Sequence, residues 1–354
     1  MDKPLVTIGI PTYNRAADLT KTLEAIRRWD YPNLDILISD NASTDDTERV
    51  GLAAQAADAR IRYVRHPKGL GLYGNHNFCI GSARGEFLSF IHDHDEHHPG
   101  MISAFVRFLL DQPHTGVVSS DWELIDEEGR PLGARDHRVS TVTPGLMFIE
   151  QTIRSGRSSV GIPGALVRRA ALGDIRFDER GHIGFGDFVV WCRLAERWDI
   201  GHVQHRLWRW RQHSKSQSAR TIVSLTRDYF DNLNGYCDGY LSRHPGEPRR
   251  VACWRRWINQ YLFWALAYEL GLSCRRGDAV ERCAASPTLF EILGYRLSAE
   301  EFHTALQQLR SYRTGALQHA AWLGIEGLVR LRLTQPLAWA TYHYATVRSV
   351  LGLR

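Results

Sequence analysis

The segment His92–His98 contains only polar or charged residues and directly follows the apolar run Glu86–Ile91. Two of its carboxylates, Asp93 and Asp95, are two residues apart just past a predicted strand, so both can reach one divalent cation. A hard ion such as Mg²⁺ or Mn²⁺ takes oxygen ligands and leaves coordination sites for phosphate. The segment therefore predicts a divalent-cation site. The simpler interpretation is a solvated polar turn.

The same segment allows a zinc site instead. The spacing His92-x-His94-x-Glu96-His97 resembles the H-x-H-x-D-H signature of metallo-β-lactamase-fold hydrolases, with Glu96 in the place of Asp. Imidazoles prefer Zn²⁺, and bound Zn²⁺ can activate a water molecule. This interpretation gives no role to the polar clusters further upstream. A zinc-dependent hydrolase that uses His92, His94 and His97 is therefore one alternative.

The elements that would position this segment alternate between strand and helix patterns. A parallel sheet built from right-handed βαβ units is the expected result. Ligands of such sheets bind at the carboxyl ends of the strands. Two further polar clusters, Thr12–Arg15 and Asp40–Asp46, also follow strands, so all three clusters should meet at one edge. The predicted strands of this region are Leu5–Ile10, Leu34–Ser39, Ile61–Val64 and Glu86–Ile91.

Three segments resemble, in order and spacing, a family 2 glycosyltransferase. Residues 8–15 (IGIPTYNR) resemble the P-x-Y-N-R start of that family, and residues 38–47 (ISDNASTDDT) resemble its D-N-x-S-x-D-x-T signature. Asp93-His94-Asp95 stands where the family has its DxD metal motif. The resemblance covers residues 1 to about 218. It implies an α/β fold of the GT-A type: Rossmann-like, with a mostly parallel central sheet flanked by helices.

The resemblance also implies a divalent-cation cofactor, Mn²⁺ or Mg²⁺. Asp93 and Asp95 would hold the cation and neutralise the diphosphate of a nucleotide-sugar donor. His213 lies in residues 209–216, which resemble the R-x-H-x-x-S loop of the family, and would be a third ligand.

The nucleotide pocket implied by the resemblance is formed by residues from all four motifs. Asp40 would accept the imino proton of the base, which favours uracil or thymine, so UDP is the first candidate and dTDP or GDP the others. Taken alone, Asp40–Asp45 equally fits an Asx-turn with a helix cap. The residues implied at the nucleotide are Pro11, Thr12, Tyr13, Arg15, Asp40, Asp93, Arg211 and Lys215.

Asp187 is the candidate general base for the acceptor hydroxyl in an inverting transfer. It lies in Gly184-Phe185-Gly186-Asp187, which resembles the segment that carries the catalytic Asp of the family. The family usually has Glu or Asp just before that residue, and Gly186 departs from this pattern. From the residues alone, a helix cap is the favoured interpretation of Asp187.

The chain carries a formal net charge of +5, and its distribution is uneven. Residues 310–354 hold six Arg and one Glu, whereas the rest of the chain is neutral. This pattern excludes a uniformly basic nucleic-acid-binding protein and indicates one local basic surface. The basic amphipathic tail could contact an anionic membrane surface.

The amino terminus leads directly into a strand, so we expect no secretion signal and a cytoplasmic location, with peripheral contact at the inner membrane face as an alternative.

Residues 221–354 are predicted to form a helical C-terminal domain after a catalytic domain over 1–220. An aromatic stripe runs along one predicted helix and indicates core packing against the catalytic domain, with a homodimer seam or an acceptor platform as alternatives. Six further histidines have no metal-ligand spacing, and a hydrogen-bonded, partly buried state is expected for each. The stripe contains Trp254, Trp257, Tyr261, Trp264 and Tyr268, and the histidines are His66, His76, His114, His182, His202 and His205.

The sequence therefore predicts a metal-dependent inverting glycosyltransferase that acts on a hydroxyl of a glycan, a lipid-linked or a small-molecule acceptor. Besides the zinc hydrolase, a catalytically silent scaffold that binds sugar nucleotides is the remaining alternative.

Overall fold

The computed structural model describes residues 3–179, 185–212 and 222–258, and the side chains of the last range from residue 229 onwards. The chain divides into two compact units, Met1–Ala219 and Arg220–Arg354. His213, Lys215 and the tail from residue 310 lie outside the described residues, so the predictions made for them stay predictions.

The first unit begins with a regular alternation of strands and helices. Each predicted strand of this region is confirmed, with ends that shift by one or two residues. The alternation consists of β1 (Val6–Thr12), α1 (Ala16–Ile26), β2 (Leu34–Asp40), α2 (Thr47–Ala57), β3 (Ile61–Arg65), α3 (Gly71–Ser82) and β4 (Phe87–Phe90).

The rest of the first unit is less regular. Its elements are β5 (Glu96–His97), α4 (Met101–Asp111), β6 (Thr115–Ile125), β7 (Pro131–Arg135), β8 (Val142–Thr143), α5 (Gly145–Ser155), a 3₁₀ turn (Ile162–Gly164), β9 (Ala165–Arg168), α6 (Arg169–Leu172), α7 (Gly186–Ala195) and β10 (Asp199–Arg211). Residues 128–145 are rich in Gly, Pro and Arg, a composition that favours a loop, yet β7 and β8 lie within them. β7 pairs with β6, and β8 with β10, so the main sheet supplies the backbone partners that a short polar strand needs.

All the strands belong to one ten-stranded sheet with the order β3-β2-β1-β4-β9-β6-β10-β5. β1 is parallel to β2 and β4, and β2 is parallel to β3. β9 is antiparallel to both β4 and β6, and β6 is parallel to β10, so β6 and β10 run in the direction of β1. The expected α/β fold with a mostly parallel central sheet is therefore confirmed. The carboxyl ends of β1, β2, β4, β6 and β10 lie at one edge.

The central strands form the core. β2 is buried at all seven positions, and β1 is buried at all but Pro11, as expected for strands covered by helices on both faces. α4 contributes Ile102, Phe105 and Leu109, whose spacing places them on one buried helix face. The loops at the carboxyl edge are thus carried by a rigid base.

The second unit begins with α8 (Ile222–Arg243) and continues with a helix that includes residues 248–258. The Pro, Gly and Arg residues of 241–250 favour a linker, but only residues 244–247 separate the two helices. Trp254 is fully buried and packs on Tyr236 and Tyr240 at ring-centroid distances of 6.1 Å and 4.7 Å. Trp254 therefore packs within this unit, and the predicted packing of the aromatic stripe against the catalytic domain stays a prediction. Tyr261, Trp264 and Tyr268 lie outside the described residues.

Among the helices formed by the described residues, none has both the length and the apolar character needed to cross a bilayer.

Candidate active site

The loops after β1 and β2 are joined by hydrogen bonds, although they are distant in sequence. Oδ1 of Asn14 accepts a 2.7 Å hydrogen bond from the backbone N–H of Thr44. The backbone N–H of Asn14 donates to Oγ of Ser43 at 2.9 Å. Asn14 has a φ of 53°, in the left-handed region that Asn tolerates better than most residues. The polar residues of the two motifs therefore build one platform at the sheet edge.

Asp45 connects the first turns of two helices. One carboxylate oxygen accepts the backbone N–H of Ala16 at 3.1 Å, and the other accepts the backbone N–H of Thr47 at 3.0 Å. Unpaired N–H groups at helix starts favour such an acceptor. The cap interpretation is thus confirmed for Asp45, and it applies to α1 as well as α2.

Asp40 ends β2 and is fully buried. Its Oδ1 accepts the backbone N–H of Ser43 at 2.8 Å, and its Oδ2 accepts the hydroxyl of Tyr63 at 2.5 Å. Burial, together with the nearby Asp40 carboxylate, raises the pKa of Tyr63 above its ordinary value. Both oxygens of Asp40 thus have protein partners, and its contact with a nucleotide base stays a prediction.

Three predicted nucleotide residues lie on the open side of the platform. Tyr13 is 54% exposed, an unusual position for a large ring beside a buried strand. Pro11, at the end of β1, is half-buried. The Arg15 guanidinium lies 3.4 Å from Asp18, and its Nε lies 3.6 Å from Oδ1 of Asp93. The first and third motifs are therefore close together, as the sequence predicts.

Asp93 is held by β1 and α1. Its Oδ2 accepts a 2.6 Å hydrogen bond from the hydroxyl of Thr12, and its backbone carbonyl accepts one of 3.0 Å from Thr22. The residue is 4% exposed. Its orientation is thus fixed by two neighbouring elements.

Asp95 has a buried side chain with one oxygen in use and one without a partner. Oδ1 accepts the backbone N–H of Arg211 at 2.9 Å. Oδ2 receives no hydrogen bond from any described residue and lies 3.7 Å from Nδ1 of His92. Burial raises the pKa of Asp95 to about 6. A buried carboxylate oxygen without a donor is costly, and a cation would satisfy it.

His92, His94 and Asp95 each place one ligand atom within 4.8 Å of the others. Burial holds the pKa of His92 well below its ordinary value, so this ring is neutral, as a metal ligand must be. Nε2 of His92 is also buried without a hydrogen bond from the described part of the chain. The donor set therefore fits a divalent cation. Its members are the predicted Asp95 and two histidines that the DxD interpretation did not use. Asp93 is outside this group, so its predicted role as a metal ligand stays a prediction.

His97 does not join this group. Its Nε2 lies 2.9 Å from the carbonyl oxygen of Pro163, and its ring packs edge-on against Trp29. Burial lowers the pKa of His97 to about 4. The three-histidine zinc site of the hydrolase alternative is therefore not formed.

Arg211 was predicted to hold phosphate, but its guanidinium has protein partners. It donates to the carbonyl oxygens of His94, Asp126 and Glu127 at 2.8–3.0 Å, and to Oε1 of Glu96 at 2.5 Å. Four of its five N–H donors are thereby used. Arg211 instead ties the end of β10 to the cation segment and to the turn between β6 and β7.

Asp187 lies in the first turn of α7 and is half-buried. Its carboxylate accepts hydrogen bonds from its own N–H and from that of Phe188, which lower its pKa, but burial outweighs them and raises the pKa to about 6. Asp187 thus lies in the first turn of α7 but is not its N-cap residue, which is Phe185, and burial makes its carboxylate more basic than an ordinary aspartate.

Gly186 is explained by its contact with Tyr73. A Cβ at residue 186 would lie 2.4 Å from the Tyr73 hydroxyl, so the acidic residue usual at this position has no room. Tyr73 stacks on Phe177 at 4.9 Å and lies 6.4 Å from the ring of His76, which is 5.7 Å from the ring of His92. A series of aromatic rings therefore leads from α7 to the cation group. No local sequence pattern predicts this series of rings beyond the helical spacing of Tyr73 and His76.

A mostly parallel sheet with a polar platform and the Asp93-His94-Asp95 segment at its carboxyl edge is the arrangement expected of a GT-A glycosyltransferase. Residues 7–175 match the sequence profile described as "Glycosyl transferase family 2". This match supports a family 2 glycosyltransferase over that segment, and it gives the hydrolase alternative no support.

Two curated relatives illustrate the match. The chain is 28% identical over 242 residues to an uncharacterised protein of Mycobacterium tuberculosis. This match covers 65% of this chain and 73% of that protein. It is 35% identical over 128 residues to the GalNAc(5)-diNAcBac-PP-undecaprenol beta-1,3-glucosyltransferase of Campylobacter jejuni. That match covers 36% of this chain and 40% of the enzyme, so the chain spans less than half of this relative.

Solved structures show the same fold. TarS 1-349 of S. aureus in complex with UDP-GlcNAc is similar with a TM-score of 0.53 at 18% identity, over 67% of this chain and 66% of that one. The mannosyltransferase PcManGT of Pyrobaculum calidifontis, in complex with GDP-Man and Mn²⁺, is similar with a TM-score of 0.51 at 15% identity, over 95% of this chain and 88% of that one.

Proposed function

We propose that this glycosyltransferase is cation-dependent and moves a sugar, with inversion, from a nucleotide-sugar donor to an acceptor hydroxyl. One observation carries the proposal: the buried Oδ2 of Asp95, unpaired among the described residues, lies beside His92 and His94 at the carboxyl edge of the sheet. A buried carboxylate in that state is expected at a site that receives a positive charge.

Asp95, His92 and His94 would hold the cation, with His213 as a further ligand. Bound Mn²⁺ or Mg²⁺ would act as a Lewis acid toward the leaving diphosphate. Thr12 keeps the carboxylate of Asp93 turned toward Arg15, where it can orient the donor. The complex of PcManGT with GDP-Man and Mn²⁺ supports this use of the fold.

Tyr13, Pro11 and Arg15 would receive the nucleotide on the platform, with Asp40 below them. Lys215 would contact the phosphates. We propose UDP as the nucleotide, because the TarS neighbour binds UDP-GlcNAc. GDP and dTDP are the competing nucleotides.

Asp187 would accept the proton of the attacking hydroxyl. A pKa of about 6 leaves the carboxylate mostly ionised at neutral pH while making it more basic than an ordinary aspartate. The contact between Gly186 and Tyr73 fixes the start of α7, and so the position from which the carboxylate acts.

The acceptor we propose is lipid-linked, and the location is peripheral at the inner membrane face. The name of the Campylobacter relative specifies an undecaprenol-linked substrate. The excess of Arg in residues 310–354 suits an anionic surface. Deletion of that tail should reduce binding to anionic vesicles, and unchanged binding would contradict this part of the proposal.

The function is tested by transfer assays with UDP-, dTDP- and GDP-sugars in the presence of Mn²⁺, together with nucleotide binding by calorimetry. Asp187→Asn should abolish transfer and retain nucleotide binding. The matched control is Asp174→Asn, because that carboxylate is 91% exposed. Full activity of Asp187→Asn would overturn the proposed base. Binding without turnover of any donor by the wild type would instead support the scaffold alternative.

A further inference from the structure

A second group of two histidines and one carboxylate lies on other elements of the first unit. Asp121 comes from β6, His202 from β10, and His137 from the connection between β7 and β8. Each offers one ligand atom within 4.8 Å of the other two. Asp121 is 6% exposed and His202 is 2% exposed. The group is not spaced as a sequence motif, because the strand pairing of β6 with β10 brings it together.

The contacts of the group are crowded on one oxygen. Oδ1 of Asp121 lies 2.6 Å from the backbone N of His137, 3.3 Å from Nδ1 of the same residue and 2.9 Å from Nε2 of His202. Ligand atoms bound to one tetrahedral Zn²⁺ at about 2.0–2.1 Å are separated by similar distances. The three side-chain atoms thus already have the spacing of a ligand set.

The other ring nitrogen of His202 gives the second argument. Nδ1 lies 3.3 Å from Oγ of Ser119, and that hydroxyl donates its proton to the carbonyl oxygen of Ser159 at 2.7 Å. Ser119 can therefore only accept from His202. If Nδ1 carries the proton, the lone pair of Nε2 faces the Asp121 carboxylate. If Nε2 carries it, the lone pair of Nδ1 faces Ser119. A neutral ring leaves one such contact unsatisfied in either tautomer.

A metal ion between Nε2 and Asp121 removes this conflict. Nδ1–H would then donate to Ser119, which is the usual outer hydrogen bond of a metal-bound histidine. Burial lowers the pKa of both His137 and His202, so the rings are neutral and available as ligands. Asp121 and His137 also line an open cavity of about 750 Å³, which provides an entry path.

We propose that Asp121, His137 and His202 form a second metal site, selective for Zn²⁺-type ions, distinct from the His92–Asp95 group and unrelated to the donor diphosphate. Two imidazoles and one carboxylate suit zinc better than Mg²⁺. The bound ion would link the β7–β8 connection to β6 and β10. Its fourth coordination position would face the cavity and bind water or an anionic group. Arg138 lines the same cavity and favours a negative ligand there, whereas Arg206 is already paired with Asp136 of the cavity wall at 2.6 Å.

The test uses the full chain, stripped with a chelator, in an Asp95→Asn background that disables the first group. Zn²⁺ is titrated by calorimetry, and Co²⁺ serves as a spectroscopic probe of tetrahedral coordination. We expect one equivalent of Zn²⁺, a rise in Tm on binding, and a visible Co²⁺ spectrum. Addition of His137→Ala should weaken Zn²⁺ binding about tenfold or more and remove the Tm rise.

The matched control is His205→Ala, because His205 lines the same cavity outside the ligand group. It should bind Zn²⁺ as the background does. His202→Gln is a second variant, and its folding is checked by circular dichroism. It should no longer bind one equivalent of Zn²⁺. The proposal is overturned if the background binds no Zn²⁺, or if His137→Ala and His205→Ala bind it equally. Neither outcome bears on glycosyl transfer, since no donor is present.

Discussion

The hydroxyl of Thr12 donates a 2.6 Å hydrogen bond to Oδ2 of Asp93, although 81 positions separate the two residues. Thr12 ends β1, and Asp93 follows β4, the parallel neighbour of β1. The bond is buried, so it fixes the Asp93 carboxylate at the carboxyl edge of the sheet, close to Arg15.

Replacing Thr12 by Val removes this donor while keeping the shape of the side chain. The buried Asp93 oxygen then loses its partner, which costs about 1–3 kcal/mol. We expect kcat/KM for the donor to fall about tenfold or more. Thr12→Ser keeps the hydroxyl and should retain most of the activity, and equal loss in both variants would contradict the role of the hydrogen bond.

Transfer should increase with pH through the pKa of Asp187, which burial raises to about 6. Below this value the carboxyl is protonated and cannot accept the acceptor proton. The rate should therefore fall about tenfold per pH unit on the acid side and level off above about pH 7. The measurement is kcat at saturating donor and Mn²⁺. Nucleotide binding is followed over the same range, since loss of the donor or cation would also lower the rate, and a flat rate profile would contradict the assignment.

Arg211→Ala should raise the Mn²⁺ concentration needed for activity without removing a phosphate contact. The variant loses the hydrogen bonds to His94, Glu96 and the β6–β7 turn, so the cation segment becomes less rigid. We expect the Mn²⁺ concentration for half-maximal activity to rise about tenfold, with a smaller change in nucleotide affinity. Arg130→Ala is the control, because this 74% exposed arginine pairs with Asp126 of the same turn and such pairs contribute little. A selective loss of nucleotide affinity would restore the original prediction for Arg211.

Gly186→Ala should destabilise the protein by about 1–3 kcal/mol, because its Cβ would overlap the Tyr73 hydroxyl. Tyr73→Leu shortens the neighbouring side chain, so in the double variant it should recover most of the stability that Gly186→Ala loses. Chemical denaturation of the two single variants and the double variant gives the free energy of coupling between the two residues. Additive effects would show that the two residues do not compete for this space.

Asp35 is buried and forms an ion pair with the partly exposed Arg62, and this pair should affect stability. Asp35 accepts hydrogen bonds from Arg62 at 2.7 Å and 2.8 Å and from Thr7 at 2.9 Å. Burial alone would raise the pKa of Asp35, but these bonds outweigh it and lower the pKa below 3.8. A lowered folded-state pKa adds stability above the unfolded value, and this stability is lost as the pH falls through the folded value.

Arg62→Leu should therefore cost about 3 kcal/mol at pH 7, because it leaves the Asp35 charge unpaired. The difference from wild type should shrink below about pH 4, where Asp35 begins to be protonated. Thermal denaturation at pH 7 and pH 3 measures it. A difference that is equal at both pH values would show that the loss comes from packing alone.

The sequence determined the βα alternation and the place of the three polar motifs, because hydrophobic periodicity and turn residues are local properties. From these followed the parallel sheet and the meeting of Thr12, Asp40 and Asp93 at its carboxyl edge. The family also followed, since its motifs lie in short contiguous segments.

Other features depended on tertiary structure. Contacts with partners distant in sequence set the roles of individual side chains. Arg211 donates to carbonyl oxygens of two loops, His97 contacts the carbonyl oxygen of Pro163, and Gly186 lies against Tyr73. The grouping of Asp121, His137 and His202 depends on the pairing of β6 with β10, which no local pattern encodes. Hydrogen-bond partners and burial are properties of the packed chain, so residue types and spacing could locate the site but could not assign each atom its role.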